Sequence, residues 1–85
     1  MGLESNQQEA LLNSAKEARL NSYSPYSNFA VGAAILTESG KIFTGANVEN
    51  ASYGLAICAE RAAAVKAVNS GEKVFKAIAC VGFKK

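Results

Sequence analysis

Ile57-Cys58-Ala59-Glu60-Arg61 sets a thiol two residues ahead of a carboxylate, at the head of an alanine-rich run whose composition favours helix. A cysteine there lies close to unpaired backbone N–H groups and to the positive end of the helix dipole, which favours thiolate, the form that binds metals. Glu60 shares the same turn and would point into the same space without being forced to coordinate. The spacing alone leaves two readings open, because a cysteine at the start of a buried helix also serves as a small hydrophobe. The sequence contains no histidine. That removes Ser-His-Asp and Cys-His nucleophile systems, HExxH peptidases and two-His metal sites, so any general base is a carboxylate, a lysine, a tyrosine or a thiolate.

The elements that would hold this pair are few. Eighty-five residues make one small domain with room for a single core. The chain is 49% hydrophobic and 19% charged with one proline, a balance that argues against disorder. Much of the apolar share is alanine and glycine, so the core is thin and association with further copies is the expected reinforcement. A net charge of +2 with no basic cluster beyond Lys84-Lys85 gives no electrostatic reason to expect nucleic acid. No apolar run approaches the ~20 residues of a membrane span, and Glu4 to Glu9 is polar where a secretory signal would be apolar. A soluble, cytoplasmic protein is expected, with its two cysteines as free thiols or metal ligands rather than a disulfide.

Ser5-Asn6-Gln7-Gln8 has the form of a capping box, and the spacing of Ala10, Leu11, Ala15 and Ala18 predicts a helix from about Asn6 to Leu20. Asn21 to Asn28, around the only proline, reads as a hydroxyl-rich loop. Phe29 to Thr37 and Lys41 to Gly45 read as an antiparallel hairpin turned at Glu38-Ser39-Gly40. Ala46 to Leu55 reads as a connecting loop, and Ile57 to Asn69 as a buried helix stopped by Ser70-Gly71. Val74 to Phe83, with the apolar run Ala77 to Val81, reads as a buried strand. A helix joining the hairpin to a later strand makes a β-α-β crossover, so one sheet with helices packed on it follows: an α/β domain.

Three stretches in order carry a family likeness: Ser24-Pro25-Tyr26-Ser27-Asn28-Phe29-Ala30-Val31-Gly32-Ala33-Ala34, then Thr44-Gly45-Ala46-Asn47-Val48-Glu49-Asn50-Ala51-Ser52-Tyr53-Gly54, then Cys58-Ala59-Glu60-Arg61. Together, from about Leu11 to Val81, the chain resembles the N-terminal half of the small homotetrameric cytidine deaminases. The resemblance implies a cytidine-deaminase-like three-layer αβα sandwich, here its helix, hairpin, helix and strand within a single domain over residues 1–85. It implies hydrolytic deamination of cytidine or 2′-deoxycytidine to the uridine product in pyrimidine salvage. Zinc deaminases hold Zn²⁺ with three protein ligands and activate a water that attacks C4 of cytosine, while a glutamate that is not a ligand shuttles protons. By resemblance Cys58 is a zinc ligand and Glu60 the shuttle, the all-cysteine form of the site being the one compatible with a chain lacking histidine. Asn47 and Glu49 would hydrogen-bond the ribose hydroxyls, Phe29 would pack beside the pyrimidine ring, and the Ala59 N–H would donate to the pyrimidine carbonyl. Arg61 would donate to zinc-bound thiolates, and Ala51 and Tyr53 would reach across a subunit interface towards a neighbour's nucleoside. Each has a plainer reading: a first-turn carboxylate, an Asx turn with an exposed acid, core or interface packing, a surface arginine. Cys80 matches no ligand position and is expected to be a buried thiol.

Members of that family continue into a P-C-x-x-C segment that furnishes two further zinc ligands, and this sequence reaches Lys85 without one. One ligand thiol cannot assemble a three-ligand site from a single copy, so the 85 residues alone are expected to be inactive. The other ligands would come from a longer form of the protein or from a second polypeptide. Two readings from other classes stand beside this one. A non-enzymatic oligomerising module would associate without zinc, and a same-fold deaminase of a nucleoside antibiotic or free base would tolerate changes at Asn47 and Glu49.

Overall fold

Leu11, Ala15 and Ala18 recur every three to four residues, and that stripe is the buried face of the first helix, α1, Ser5–Ala18. The chain then tightens into a 3₁₀ turn, Arg19–Asn21, so the α-helix ends two residues before Leu20. The computed structural model describes residues 5–25, 28–50 and 55–84. Strand β1, Phe29–Thr37, turns back through the four residues 38–41 into β2, Ile42–Ala46, as an antiparallel pair. Gly40 at φ 94° supplies the left-handed position in this turn.

The last strand, β5, Phe75–Lys84, pairs antiparallel with the other edge of β1, from Phe29↔Lys84 to Thr37↔Phe75. The sheet order is β2-β1-β5. With β1 antiparallel to both neighbours, β2 and β5 run parallel, and the connecting helix α2, Ala59–Asn69, is the expected crossover. It stops where Ser70-Gly71 was expected to stop it. The Gly71 N–H bonds to the Val68 carbonyl and the Glu72 N–H to the Ala67 carbonyl, a Schellman ending with Gly71 at φ 92°.

The two helices lie on opposite faces of this sheet. Successive β residues point to opposite sides. Gly32 comes so close to the end of α1 and the turn after it that a Cβ would meet the Ala15 carbonyl and lie 2.6 Å from the Arg19 nitrogen, whereas Gly45, paired with Ala33, lies equally tight against Ala59 and Ala63 of α2. Leu11 and Ala15 therefore pack with Ala34 and Leu36 on one face, where Ala77, Ala79 and Val81 join them. Ala33 and Ile35 are buried on the other face. This is a helix–sheet–helix layering of the α/β class.

Four expectations need correction. The stretch Ala46 to Leu55 is not wholly loop: β3, Val48–Asn50, pairs antiparallel with β4, Leu55–Ile57, in the register Val48↔Ile57, Glu49↔Ala56 and Asn50↔Leu55. Ile57 thus belongs to a strand, and α2 begins at Ala59 with Cys58 as its N-cap rather than in its first turn. The second helix is buried on one stripe only, Ala59, Ala63 and Ala67, while Val65 is 52% exposed. Alanine-rich composition raises helix propensity on every side and so carries no information about which side is covered. Finally, β5 is covered on one face: Ala77, Ala79 and Val81 are half-buried, whereas Ile78 is 55% exposed and Cys80 is exposed. The α2 helix lies over β2 and β1 and barely reaches β5, so the Cys80 thiol is not a core group.

Candidate active site

Cys58 leaves β4 with extended backbone, φ −71° and ψ 147°, and its carbonyl accepts the first helical bond, from the Ala62 N–H at 3.0 Å. Its side chain makes no capping hydrogen bond and is exposed. The first N–H groups of a helix have no intrahelical acceptor, so those of Ala59, Glu60 and Arg61 face the same end of the helix as the thiol. Glu60 and Arg61 are exposed and Ala59 is buried against the sheet. The start of α2 therefore presents a thiol, an acid, a guanidinium and undercommitted amide donors together. Its position is fixed from below, because the backbone at Ala59 and Ala63 sits directly on Gly45.

Beside it lies the uncovered part of the sheet. Cys80 pairs with Ala33, which pairs with Gly45, so Cys80 faces the α2 side. Partial desolvation against the sheet pushes its thiol pKa up, and the negative charge of Glu60 adds to that rise. The carboxylate of Glu60 thus acts over the open strip of β5. At the far end of the same strip the ring of Phe29, 47% exposed, lies over Gly82, where a Cβ would fall 2.7 Å from the ring. Gly82 is what leaves room for the edge of an aromatic ring on this face.

Asn47 stands between β2 and β3, and its side chain continues the ladder that β2 has just left. The Asn47 N–H donates to the Val31 carbonyl at 3.1 Å, the Val31 N–H donates to Asn47 Oδ1 at 3.0 Å, and Asn47 Nδ2 donates to the Phe29 carbonyl at 2.9 Å. The residue expected at the sugar thus also ties down the backbone of the residue expected at the base. Glu49 sits in the middle of β3 opposite Ala56, two residues before Cys58, so the unforeseen β3–β4 ladder joins the Asn47–Glu49 segment to the head of α2. Ala51 and Tyr53, expected to serve a neighbouring subunit, lie outside the described residues.

Sequence reasoning missed a brace behind this segment. Tyr23 makes a parallel bridge to Val48: its N–H donates to the Asn47 carbonyl at 3.0 Å and its carbonyl accepts the Glu49 N–H at 2.7 Å. Ser22 and Ser24 flank it, and Ser24 is 1% exposed. The one signal was the density of hydroxyls between Asn21 and Asn28. Elsewhere, an apolar groove of about 410 Å³ between the end of α1, β2 and α2, lined among others by Ala18, Thr44, Ala46, Ala62 and Val65, contains none of the expected site residues.

The residues from 5 to 82 match the model of the cytidine and deoxycytidylate deaminase zinc-binding region. The chain belongs to this family of zinc-dependent deaminases. The cytidine deaminase of Sporosarcina psychrophila is 51% identical over 73 residues, 86% of this chain and 54% of that protein. In three dimensions the chain is similar to the crystal structure of cytidine deaminase from Burkholderia pseudomallei, with a TM-score of 0.82 and 56% identity over 87% of this chain and 60% of that one. It is also similar to that of Mycobacterium tuberculosis, with a TM-score of 0.84 and 45% identity over 88% and 61%. The chain spans about half the length of the curated relatives it matches.

Zinc is the metal of the matched region, and a thiolate at the position of Cys58 suits it. The number of donors falls short. Among the described residues no three of His, Cys, Asp and Glu gather where they could hold an ion. The described residues thus fit one arm of a zinc centre and do not close one. No helix among them is long and apolar enough to cross a membrane.

Proposed function

We propose that the protein deaminates cytidine and 2′-deoxycytidine, water entering at C4 and ammonia leaving, with uridine or 2′-deoxyuridine as the product. The observation that carries this reading is the head of α2: thiol at the N-cap, carboxylate in the first turn, both exposed beside a strip of sheet on which the Phe29 ring lies. Bound zinc supplies Lewis acidity towards water when its ligand set is complete. Cys58 contributes one thiolate to that set, and Arg61 donates to the thiolates and moderates their charge.

Glu60 moves the protons. An exposed carboxylate in the first turn is able to take one proton from the attacking water and give it to N3, then take the proton left on the new C4 hydroxyl and give it to the departing amine, which leaves poorly unless protonated. Phe29 packs against the pyrimidine, and the Ala59 N–H, a helix-start donor without an intrahelical acceptor, meets the pyrimidine carbonyl. Asn47 and Glu49 hold the ribose hydroxyls, and Ala51 and Tyr53 serve the nucleoside of a neighbouring subunit.

Residues 1–85 form part of a single deaminase domain in this reading, and the 85 residues alone do not turn over, because the described residues bring one zinc ligand where three are needed. The working form is a homotetramer acting in cytoplasmic pyrimidine salvage. The test is the loss of cytidine absorbance with the zinc-loaded product of the complete reading frame, run beside deoxycytidine and free cytosine. Conversion of both nucleosides is expected. Conversion of neither, or of cytosine in preference to both, overturns the reading.

A further inference from the structure

The hydroxyl-rich turn ahead of β1 holds a hydrogen-bond chain aimed at Asn47. Ser22 Oγ lies 2.5 Å from Asn47 Oδ1 and 3.2 Å from Ser24 Oγ. The amide oxygen can only accept, so the single proton of Ser22 goes to Asn47. Ser22 Oγ is the donor in both contacts, and the much shorter one, to Asn47, holds its proton while Ser24 Oγ lies beside it as the longer, secondary acceptor.

The amide receiving this chain is already held at two further points, by the Val31 N–H on Oδ1 and by the Phe29 carbonyl on Nδ2. An amide nitrogen carries two protons. The Phe29 carbonyl takes one of them, and the other is the one that would meet a ligand oxygen. Ser22 itself cannot drift, because Tyr23 beside it is bonded on both sides of Val48.

We propose that Ser22 is a positioning residue: its hydroxyl, backed by that of buried Ser24, fixes the Asn47 amide so that its outer Nδ2 proton is presented to a sugar hydroxyl. This rests on the reading above that Asn47 meets the sugar. Ser22 touches neither sugar nor base and acts through Asn47 alone.

The test compares wild type with Ser22→Ala and Ser22→Thr in two measurements. The first needs no ligand: amide hydrogen exchange at Val31, with Ile35 as a core reference. Loss of one hydrogen bond predicts about tenfold faster exchange at Val31 in Ser22→Ala, with Ile35 unchanged and Ser22→Thr close to wild type. Ser22→Cys, which keeps the side-chain volume with a weaker donor, serves where alanine unfolds the chain and is expected to change Val31 in the same direction. The second measures dissociation constants of the zinc-loaded product of the complete reading frame for cytidine and for cytosine. Cytidine is expected to weaken about tenfold and cytosine to stay the same. Unchanged exchange at Val31 overturns the role of Ser22. Faster exchange with cytidine and cytosine weakened equally upholds the bracing of Asn47 and overturns its role at the sugar.

Discussion

Gly45 of β2 lies directly beneath Ala63 of α2: a Cβ on Gly45 would sit 2.5 Å from the Ala63 nitrogen and 2.5 Å from the Ala59 carbonyl oxygen. Backbone meets backbone there, so neither side can yield by turning a side chain. Because Cys58 and Glu60 ride on the first turn of the same helix, this contact sets their height above the sheet. Gly45→Ala is expected to cost ~3 kcal/mol in urea denaturation by overpacking. Stability within 0.5 kcal/mol of wild type, the ordinary range of a neutral surface change, would show that α2 is not seated there.

Gly82 provides the contrast. A Cβ there meets only the outer ring atoms of Phe29, and that ring is half exposed and able to swing away. Gly82→Ala is therefore expected to cost less than about 1 kcal/mol while shifting the Phe29 ring resonances by NMR. Unmoved ring signals would contradict the contact.

Asn47→Asp keeps the acceptor for the Val31 N–H and loses the donor to the Phe29 carbonyl. A loss of ~2 kcal/mol in thermal or urea unfolding follows from the orphaned acceptor and the charge facing it. Equal stability of the aspartate variant would mean that the amide does not tie β1 to the segment after β2.

Glu72 anchors the start of β5 to the hairpin turn. Ser39 Oγ donates to Glu72 Oε1 at 2.6 Å and Lys41 Nζ lies 3.8 Å from Oε2. The Ser39 hydroxyl is the main cause holding the Glu72 carboxyl below its ordinary pKa, with Thr37 and the charge of Lys41 adding to it against some desolvation. A depressed carboxylate contributes stability above its unfolded pKa and loses it as pH falls through the folded value. Unfolding free energy measured from neutrality downwards should thus fall more steeply in wild type than in Glu72→Gln. Identical slopes would remove this tie from the acid response.

Cys80 reports on Glu60. Partial burial raises its thiol pKa first, and the Glu60 charge raises it further. Glu60→Gln is expected to speed alkylation of Cys80 at a fixed pH by enlarging its thiolate fraction. Labelling in a Cys58→Ser background isolates the signal. An unchanged rate would place the carboxylate away from β5.

The hairpin was legible because its signals are local: a strand-forming run over Phe29 to Thr37, the turn formers Glu38-Ser39-Gly40, and a second short run after them. The end of α2 at Ser70-Gly71 was legible for the same reason. The β3–β4 ladder was not, since Val48–Asn50 and Leu55–Ile57 are three residues each and their pairing is a contact between segments rather than a pattern within one. The exposure of Cys80 and Ile78 escaped for a related reason: an apolar run tells of both faces being apolar, not of what covers them. Within the candidate site, the types and order of Cys58, Glu60, Asn47 and Phe29 were readable. The bonds that fix Asn47 to Ser22, Val31 and the Phe29 backbone were not, because they join residues 16 to 25 positions apart through geometry alone.

The division of labour at the head of α2 is tested most directly by Glu60→Gln in the zinc-loaded product of the complete reading frame, with zinc content and cytidine turnover measured on the same sample. Full zinc occupancy with turnover reduced by about 10³ is expected of a residue that moves protons without holding the metal. Turnover near wild type, or loss of zinc together with activity, would contradict it.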